Sequence, residues 1–346
     1  MPNGHLLGQR ARAWLVCFGY QAPGRMGAIL LLVCLSLSEV ALGQESRTAA
    51  KQEGTKSDGA AVQVQMRSVL YHFADDIVVH IRSLDGQFVP DGSNEFPVFD
   101  DKLSFRMRID SARMVMRPAD LSEVLNSYAF AGPHSPITGI SVSIENGRVK
   151  VKGKLHNNGD IPFEIDGLLS PMPDGRIRVH SEKIKALHAP VKGLMELFGV
   201  DVSDLIKSGK VSGLEAEDND LILNLAQMLP PPHIEGRVTA IRMETGALAL
   251  TFGPPPAHAG EKVRSGNYMS FRGNRLRFGK LTMTDSDVVL IDLDPNDPLD
   301  FFLDRYKDQL VAGYTKITPS FGLRVYLKDF GKLGQEKPSN RKDKSN

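Results

Sequence analysis

The chain has 346 residues, a formal net charge of +1 and 41% hydrophobic residues. A charge this close to zero supplies no basic face of the kind that nucleic-acid binding requires, so we expect no nucleic-acid partner. The apolar fraction is that of an ordinary globular protein, and the length allows one large domain or two smaller ones.

The first 43 residues are predicted to form a secretory leader. Arg25-Met26 precedes a short apolar run, Ala28–Leu37, and Ala41-Leu42-Gly43 supplies a small-x-small cleavage pattern. The apolar run is too short to span a bilayer. Either Met1 or Met26 is compatible with the start of this leader. We therefore expect a secreted protein of the periplasm or the cell envelope.

Both cysteines, Cys17 and Cys34, lie within the predicted leader. A mature chain without them would have no disulfide in an oxidising compartment, so its packed core would have to stabilise it. Cys34 follows Leu31-Leu32-Val33, which lacks the small residue expected before a lipidated cysteine. Lipidation is therefore disfavoured.

A polar stretch at residues 44–60 predicts a disordered linker. Three strands are expected after it, at Val62–Phe73, Asp76–Phe88 and Leu103–Met116. Pro118-Ala119-Asp120 then predicts the start of a helix. The apolar positions of that helix are Leu121, Val124, Leu125 and Tyr128.

The stretch from Ile137 to Val179 alternates like an antiparallel meander with one apolar and one polar face. Its turns are predicted at Asn146-Gly147, Asn157–Asp160 and Asp174-Gly175. The apolar face comprises Ile140, Val142, Ile144, Val149, Val151, Ile161, Phe163, Ile165, Ile177 and Val179.

A long helix is predicted directly after the meander. Pro190 stands at its first position, apolar residues recur at helical spacing, and Gly209 would end it. The residues at helical spacing are Val191, Leu194, Met195, Leu197, Phe198, Leu205 and Ile206. The simplest arrangement lays this helix across the apolar face of the meander.

Val238–Met243 and Ala247–Phe252 predict a further hairpin, which follows an apolar segment at Leu221–Leu229. Residues 61–253 are therefore assigned to one domain. The Pro, Ala and Gly residues of 254–266 predict a linker.

Residues 267–330 are predicted to form a strand-rich α+β part, either a separate module or the closing part of the same domain. Gly273-Asn274 predicts a hairpin turn, and Val288–Leu293 and Leu323–Leu327 predict strands. Residues 331–346 predict an unstructured tail.

The acidic run Asp292–Asp297 begins like a calcium loop. It lacks the glycine of position six, and Leu303 stands where a bidentate glutamate is needed. Helix capping at Asp294-Pro295 and Asp297-Pro298 is the better interpretation, so no metal site is expected. The capped helix would carry Leu299, Phe301, Phe302, Leu303, Tyr306 and Leu310.

Several sequence features follow one another in a set order between about residues 103 and 253. They are Asp120-Leu121, the runs GISVSIENGRVKVKGKL and IPFEIDGLLSPMPDGRIRV, residues 188–205, and Leu229-Pro230 followed by RVTAIRMETGALALTFG. In this pattern the chain resembles the LmeA-like phospholipid-binding family of the tubular lipid-binding (TULIP) superfamily. Pro230-Pro231-Pro232 departs from the Pro-Gly that is usual there in the family.

The resemblance implies an α+β fold in which a long curved antiparallel sheet wraps around a long helix and leaves space for acyl chains. It implies a non-catalytic protein without a cofactor, which carries a phospholipid or similar amphiphile or maintains the envelope and meets a membrane surface. Each acyl methylene buried against such a face would gain about 0.8 kcal/mol. The residues expected to contact the lipid are Leu121, Leu125, Ile140, Val142, Ile144, Val149, Val151, Phe163, Ile165, Leu194, Leu197 and Phe198.

Catalytic signatures are scarce in the sequence. It contains no Gly-x-Ser-x-Gly, His-Glu-x-x-His or glycine-rich phosphate loop, and His134-Ser135 is the only local hint of a base beside a nucleophile. Two alternatives to a lipid carrier remain. One is a structural envelope protein whose core is filled and holds no ligand, and the other is a hydrolase of lipid or envelope material.

Overall fold

The computed structural model describes residues 60–131, 135–156, 160–187, 189–192, 213–254 and 266–334. These residues belong to one compact unit, residues 54–346. Strands make up most of this part of the chain, and its helices are short. None of the helices described there has the length and apolar character needed to cross a bilayer.

The strands of the described residues are β1 (Val62–Ala74), β2 (Ile77–Pro90), β3 (Phe105–Met116), β4 (Ile137–Glu145), β5 (Arg148–His156), β6 (Asp160–Pro171), β7 (Ile177–Ala186), β8 (Ala189–Val191), β9 (Leu214–Glu217), β10 (Asp220–Leu223), β11 (Ile234–Glu235), β12 (Val238–Glu244), β13 (Ala247–Phe252), β14 (Tyr268–Arg272), β15 (Leu276–Phe278), β16 (Leu281–Met283), β17 (Asp287–Asp292), β18 (Leu299–Phe302), β19 (Tyr314–Ile317) and β20 (Leu323–Leu327). The helices are α1 (Pro118–Val124), continued by a π turn at Leu125–Ala129, α2 (Leu225–Met228) and α3 (Tyr306–Val311), with 3-10 turns at Leu303–Arg305 and Phe330–Lys332.

A large mixed sheet contains the first three strands. Its order is β12-β13-β3-β2-β1-β14-β17-β20-β19, and β11 and β18 pair with β3 and β1. Antiparallel pairing joins β1 to β2 and β2 to β3, whereas β18 is parallel to β1 and β20 is parallel to β17. The three predicted strands between Val62 and Met116 and the hairpin of β12 and β13 are confirmed.

The predicted meander is confirmed as a second sheet, with the order β4-β5-β6-β7-β10-β9. Asn146 and Gly147 have φ values of 52° and 72°, as the two positive-φ positions of a type I′ turn require. This meander sheet is separate from the large sheet. The fold therefore contains two main sheets where one long curved sheet was expected.

Helix α1 begins at Pro118, as predicted. Proline suits the first helical position because its missing N–H would have no partner there. The buried Asp120 carboxylate accepts hydrogen bonds from the backbone N–H groups of Arg117 (3.1 Å) and Val78 (3.2 Å). The start of α1 is thereby fixed to β2.

The prediction of a long helix starting at Pro190 is wrong at that start. Ala189–Val191 instead form β8, in which Pro190 lies opposite Lys185 of β7. A short strand at a sheet edge tolerates proline, because the absent N–H is not needed for a second neighbour. The remainder of the predicted helix, which includes Leu194, Leu197 and Phe198, lies outside the described residues.

The C-terminal strands share the large sheet with β1. β14 runs antiparallel to β1, with Gln63 opposite Arg272, and β17 and β20 extend the sheet from there. The strands predicted at Val288–Leu293 and Leu323–Leu327 are confirmed at β17 and β20. The hairpin predicted at Gly273-Asn274 is wrong, because β14 pairs with β17 and not with the strand that follows the turn.

The helix predicted from Leu299 is wrong over its first half. Leu299–Phe302 form β18, parallel to Val69–His72 of β1, and helical structure begins only at Leu303. Leu299 and Phe301 are fully buried there. Burial of these large apolar side chains against β1 outweighs the local proline signals, since strand formation depends strongly on packing.

Candidate functional site

An apolar cavity lies against the inner face of the meander sheet. Its wall combines side chains of the meander sheet with side chains of β3, β13, α1 and α2. The lining residues are Met116, Leu121, Val124, Leu125, Phe130, Ile137, Ile140, Val142, Val149, Val151, Phe163, Ile165, Leu169, Ile177, Val179, Leu214, Leu221, Leu223, Leu225, Met228, Leu229, Leu248 and Leu250.

The cavity is large enough for a small apolar ligand. Its volume is about 100 Å³, measured for the centre of a water-sized sphere. A single water molecule needs only about 10–15 Å³ by that measure. All the described lining residues have apolar side chains, so a water molecule inside would find no side-chain partner. Apolar cavities of this kind stay dry and bind apolar molecules.

Eight of the twelve residues predicted to contact a lipid line this cavity. They are Leu121, Leu125, Ile140, Val142, Val149, Val151, Phe163 and Ile165. Ile144 is not among the lining residues, although it packs half-buried against the same core. Leu194, Leu197 and Phe198 lie outside the described residues.

Sequence reasoning missed the part of the wall that comes from the large sheet. Met116 belongs to β3, and Leu248 and Leu250 belong to β13, which pairs with β3 in the large sheet. Their alternation predicted a strand with one apolar face. Nothing local indicated that this face meets the meander sheet.

Two local contacts position the β4 and β5 walls. Ser122 of α1 accepts a hydrogen bond from the backbone N–H of Val142 at 2.8 Å, which holds the helix along β4. Gly153 lies directly under the Phe163 ring, and a Cβ atom at this position would lie 2.8 Å from that ring. The glycine therefore provides the space that Phe163 occupies beside the cavity.

A hydrogen-bonded chain of three polar side chains lies at the other face of β4. Thr138 Oγ1 is 2.9 Å from His156 Nε2, and His156 Nδ1 is 2.6 Å from the Asp160 carboxylate. The order matches a nucleophile, a base and an orienting acid. The side chains of His156 and Asp160 are 43% and 52% exposed, however, and Thr138 does not line the cavity. These three hydrogen-bonded side chains are better explained as a solvent-exposed contact on the surface.

The Ser135 hydroxyl is already engaged, because it donates to the backbone oxygen of Ile137 at 2.7 Å. His134 lies outside the described residues. Ser135 thus makes a local turn contact in this structure. Its position gives no support to the hydrolase alternative.

The acidic run that resembled a calcium loop surrounds a lysine. The Lys332 ammonium lies 2.8 Å from Asp294, 3.0 Å from Asp297 and 2.9 Å from Asp329. The helix-capping interpretation of Asp294 and Asp297 is wrong, since a strand follows them. Lys332 supplies the positive charge that these carboxylates need, and it attaches the 3-10 turn at Phe330–Lys332 to the loop before β18.

No protein-family model, curated protein or solved structure matches this chain. The resemblance to the LmeA-like family stays a prediction from the residues that carry it.

Proposed function

We propose that the protein binds the acyl part of a phospholipid or similar amphiphile, without catalysis, in the cavity between the meander sheet and the large sheet. The observation that carries the proposal is the wall itself, which is apolar in every described residue and is contributed by both sheets. Burying hydrocarbon there would gain about 0.8 kcal/mol for each methylene. The role would be lipid carriage or envelope maintenance in the periplasm or outside the cell.

The finer architecture of the resembled family is also part of this proposal. In it, a long helix after the meander lies along the apolar face, with Leu194, Leu197 and Phe198 toward the ligand. The support for this part is the resemblance and the apolar spacing of the sequence alone.

The test is to fill the cavity without adding a charge. The full chain is expressed into a periplasm, purified, and analysed by native mass spectrometry and lipid extraction. The wild type should carry an amphiphile at close to one per chain, and Val142→Phe should lose most of it. Because the added ring fills a cavity, the free energy of unfolding of this variant should stay equal or rise by about 0.5–2 kcal/mol.

Ser143→Phe is the matched control, because it places the same ring on the opposite face of β4. It should retain the amphiphile. A wild-type protein that is free of ligand and does not take up added lipid would contradict the proposal. That outcome would favour the structural envelope protein with a filled core. Release of free fatty acid from added lipid, abolished by Thr138→Val, would instead favour the hydrolase.

A further inference from the structure

The hairpin of β19 and β20 presents two large apolar side chains to solvent at its tip. Phe321 is 90% exposed and Ile317 is 73% exposed. All four residues of β19 are exposed, and this strand ends the described order of the large sheet. Single exposed apolar residues are common, so exposure alone would not make this tip a binding site.

The backbone of the tip holds Phe321 in a conformation that phenylalanine rarely adopts. Its φ is 61°, in the left-handed region that bulky side chains disfavour. Such a conformation persists only where the surroundings fix it.

Thr318 provides that fixation. The Thr318 backbone oxygen accepts from the N–H of Phe321 at 2.9 Å, and its backbone N–H donates to the oxygen of Gly322 at 2.8 Å. Its hydroxyl accepts from the N–H of Gly322 at 2.8 Å and lies 3.0 Å from the Ser320 hydroxyl. Four contacts within five residues thus close the tip into a rigid turn that directs the Phe321 ring outward.

The charges along the hairpin are positive. Residues 312–328 contain Lys316, Arg324 and Lys328 and no aspartate or glutamate. Among the described ion pairs, the acid that meets the hairpin is Asp287, the first residue of β17, which lies 2.8 Å from Arg324 and 3.8 Å from Arg272. Asp285 is exposed two residues before it. The charge next to the apolar tip is therefore positive overall, because three basic side chains, Lys316, Arg324 and Arg272, outnumber the two acids, Asp285 and Asp287.

An aromatic pair lies at the end of the β19–β20 hairpin that is farther from the tip. The rings of Tyr314 and Tyr326 stack with centroids 4.5 Å apart, and the Lys316 ammonium lies 5.3 Å and 5.4 Å from the two centroids. Three residue steps of a strand separate Ile317 from Tyr314, about 10 Å. That separation matches the depth of about 5–10 Å to which apolar groups enter a bilayer interface. Tyrosine and lysine are suited to the headgroup level above it.

We propose that this hairpin docks the protein on a phospholipid bilayer, with Phe321 and Ile317 inserted below the headgroups and Tyr314, Tyr326 and Lys316 among them. The combination of an apolar tip, an aromatic pair and positive charge fits a membrane interface that contains anionic lipid. The site goes beyond the cavity and is independent of it, because β19 and β20 lie at the opposite end of the large sheet from β3 and β13.

The first measurement is co-sedimentation of the full chain with vesicles. One set is pure phosphatidylcholine and the other contains phosphatidylglycerol. Binding should be stronger to the anionic set. Phe321→Asn removes the ring and suits a left-handed backbone, so the variant should fold at least as well as the wild type and bind the anionic vesicles about tenfold or more weakly. Lys316→Gln should weaken binding about fivefold.

Val311→Asn is the matched control for Phe321→Asn. Val311 is 88% exposed but precedes β19, at the end of the hairpin away from the tip. This variant should bind vesicles like the wild type. Equal binding by the wild type and Phe321→Asn, or no preference for anionic vesicles, would overturn the proposal.

A fluorescent reporter locates the inserted residue directly. In a Trp14→Phe background, Phe321→Trp carries the sole tryptophan of the chain. Its emission should shift to shorter wavelength with vesicles and be quenched by brominated acyl chains, whereas Val311→Trp should not respond. A shift that depends on protein concentration and needs no vesicles would identify a second copy of the chain as the occupant and would overturn the membrane proposal.

Discussion

The side chain of Asn126 pairs with both backbone groups of Ile140. Its Oδ1 accepts from the Ile140 N–H at 2.9 Å, and its Nδ2 donates to the Ile140 oxygen at 2.7 Å. Ile140 belongs to β4, the edge strand of the meander sheet, where a neighbouring strand is lacking on one side in the described fold. The amide of Asn126 therefore replaces a residue of the missing strand, and the helix covers an edge that could otherwise pair with another chain.

Asn126→Ala should destabilise the protein. It leaves the N–H and the oxygen of Ile140 without this partner, and each unsatisfied group costs about 1–3 kcal/mol when it stays buried. Because water can reach part of this edge, we expect a loss of about 2 kcal/mol in the free energy of unfolding, measured by urea denaturation. Ser127→Ala, on the exposed side of the same π turn, should change it by less than about 0.5 kcal/mol. Equal losses in the two variants would contradict the role assigned to Asn126.

Gln309 is predicted to be a structural anchor of the C-terminal part. Its side chain is fully buried, accepts from the Phe302 N–H at 3.1 Å, and donates to the oxygens of Asp300 (2.7 Å) and Lys328 (2.9 Å). Gln309→Leu keeps the approximate size but leaves three backbone groups without this partner. We expect a loss of about 3 kcal/mol or more, measured by chemical denaturation.

The control for that substitution is Gln63→Leu, which makes the same chemical change at an exposed position of β1. It should alter the free energy of unfolding by no more than about 0.5 kcal/mol. If Gln309→Leu behaves like Gln63→Leu, the buried amide does not anchor β18 to the residue that follows β20.

Gly253 and Gly246 form a matched pair of glycines with positive φ. Their φ values are similar, 62° and 69°. A Cβ atom added at Gly253 would lie 1.9 Å from the backbone oxygen of Asp110, whereas a Cβ atom added at Gly246 would have no atom within 4 Å. Gly246→Ala should cost only the left-handed strain, about 1 kcal/mol. Gly253→Ala should cost about 3 kcal/mol or more, because β13 must move away from β3. Similar melting temperatures for the two variants would show that the contact with Asp110 relaxes freely.

The stability of the protein should depend on the ionisation of Asp292. Burial raises the pKa of this carboxyl to about 6 from its usual 3.8. Hydrogen bonds from Asn267 and from the backbone of Asp294 oppose the rise in pKa, while the nearby charges of Asp329 and Asp297 add to it. The folded protein therefore holds this proton more tightly than the unfolded chain does.

The direction of the pH effect follows from that difference. The stabilisation from protonated Asp292 is complete below about pH 3.8 and is lost as the pH rises through about 6. The free energy of unfolding of Asp292→Asn, taken relative to that of the wild type, should therefore rise by about 1–2 kcal/mol from pH 4 to pH 7. Denaturation of both proteins at each pH measures this difference. A constant difference between the two proteins across this range would contradict the raised pKa.

Much of the meander could be predicted because its determinants are local. Alternation with a period of two places Val149 and Val151 on one face, and Asn146-Gly147 supplies the two positive-φ residues of the turn. The same alternation accounts for six of the eight expected residues that line the cavity, and the other two, Leu121 and Leu125, come from the helical spacing of α1 and its π turn. For Leu194, Leu197 and Phe198, the corresponding expectation stays a prediction.

The sequence by itself thus determined the strands with strong alternation and the start of α1 at Pro118, since both depend on residues a few positions apart. Only the tertiary structure decided that Leu299–Phe302 is a strand and that Leu248 and Leu250 complete the cavity wall. Those outcomes depend on partners far away in sequence, Val69–His72 for β18 and the meander sheet for β13. A local pattern shows that a face is apolar, but which surface buries that face is decided by packing across the whole fold.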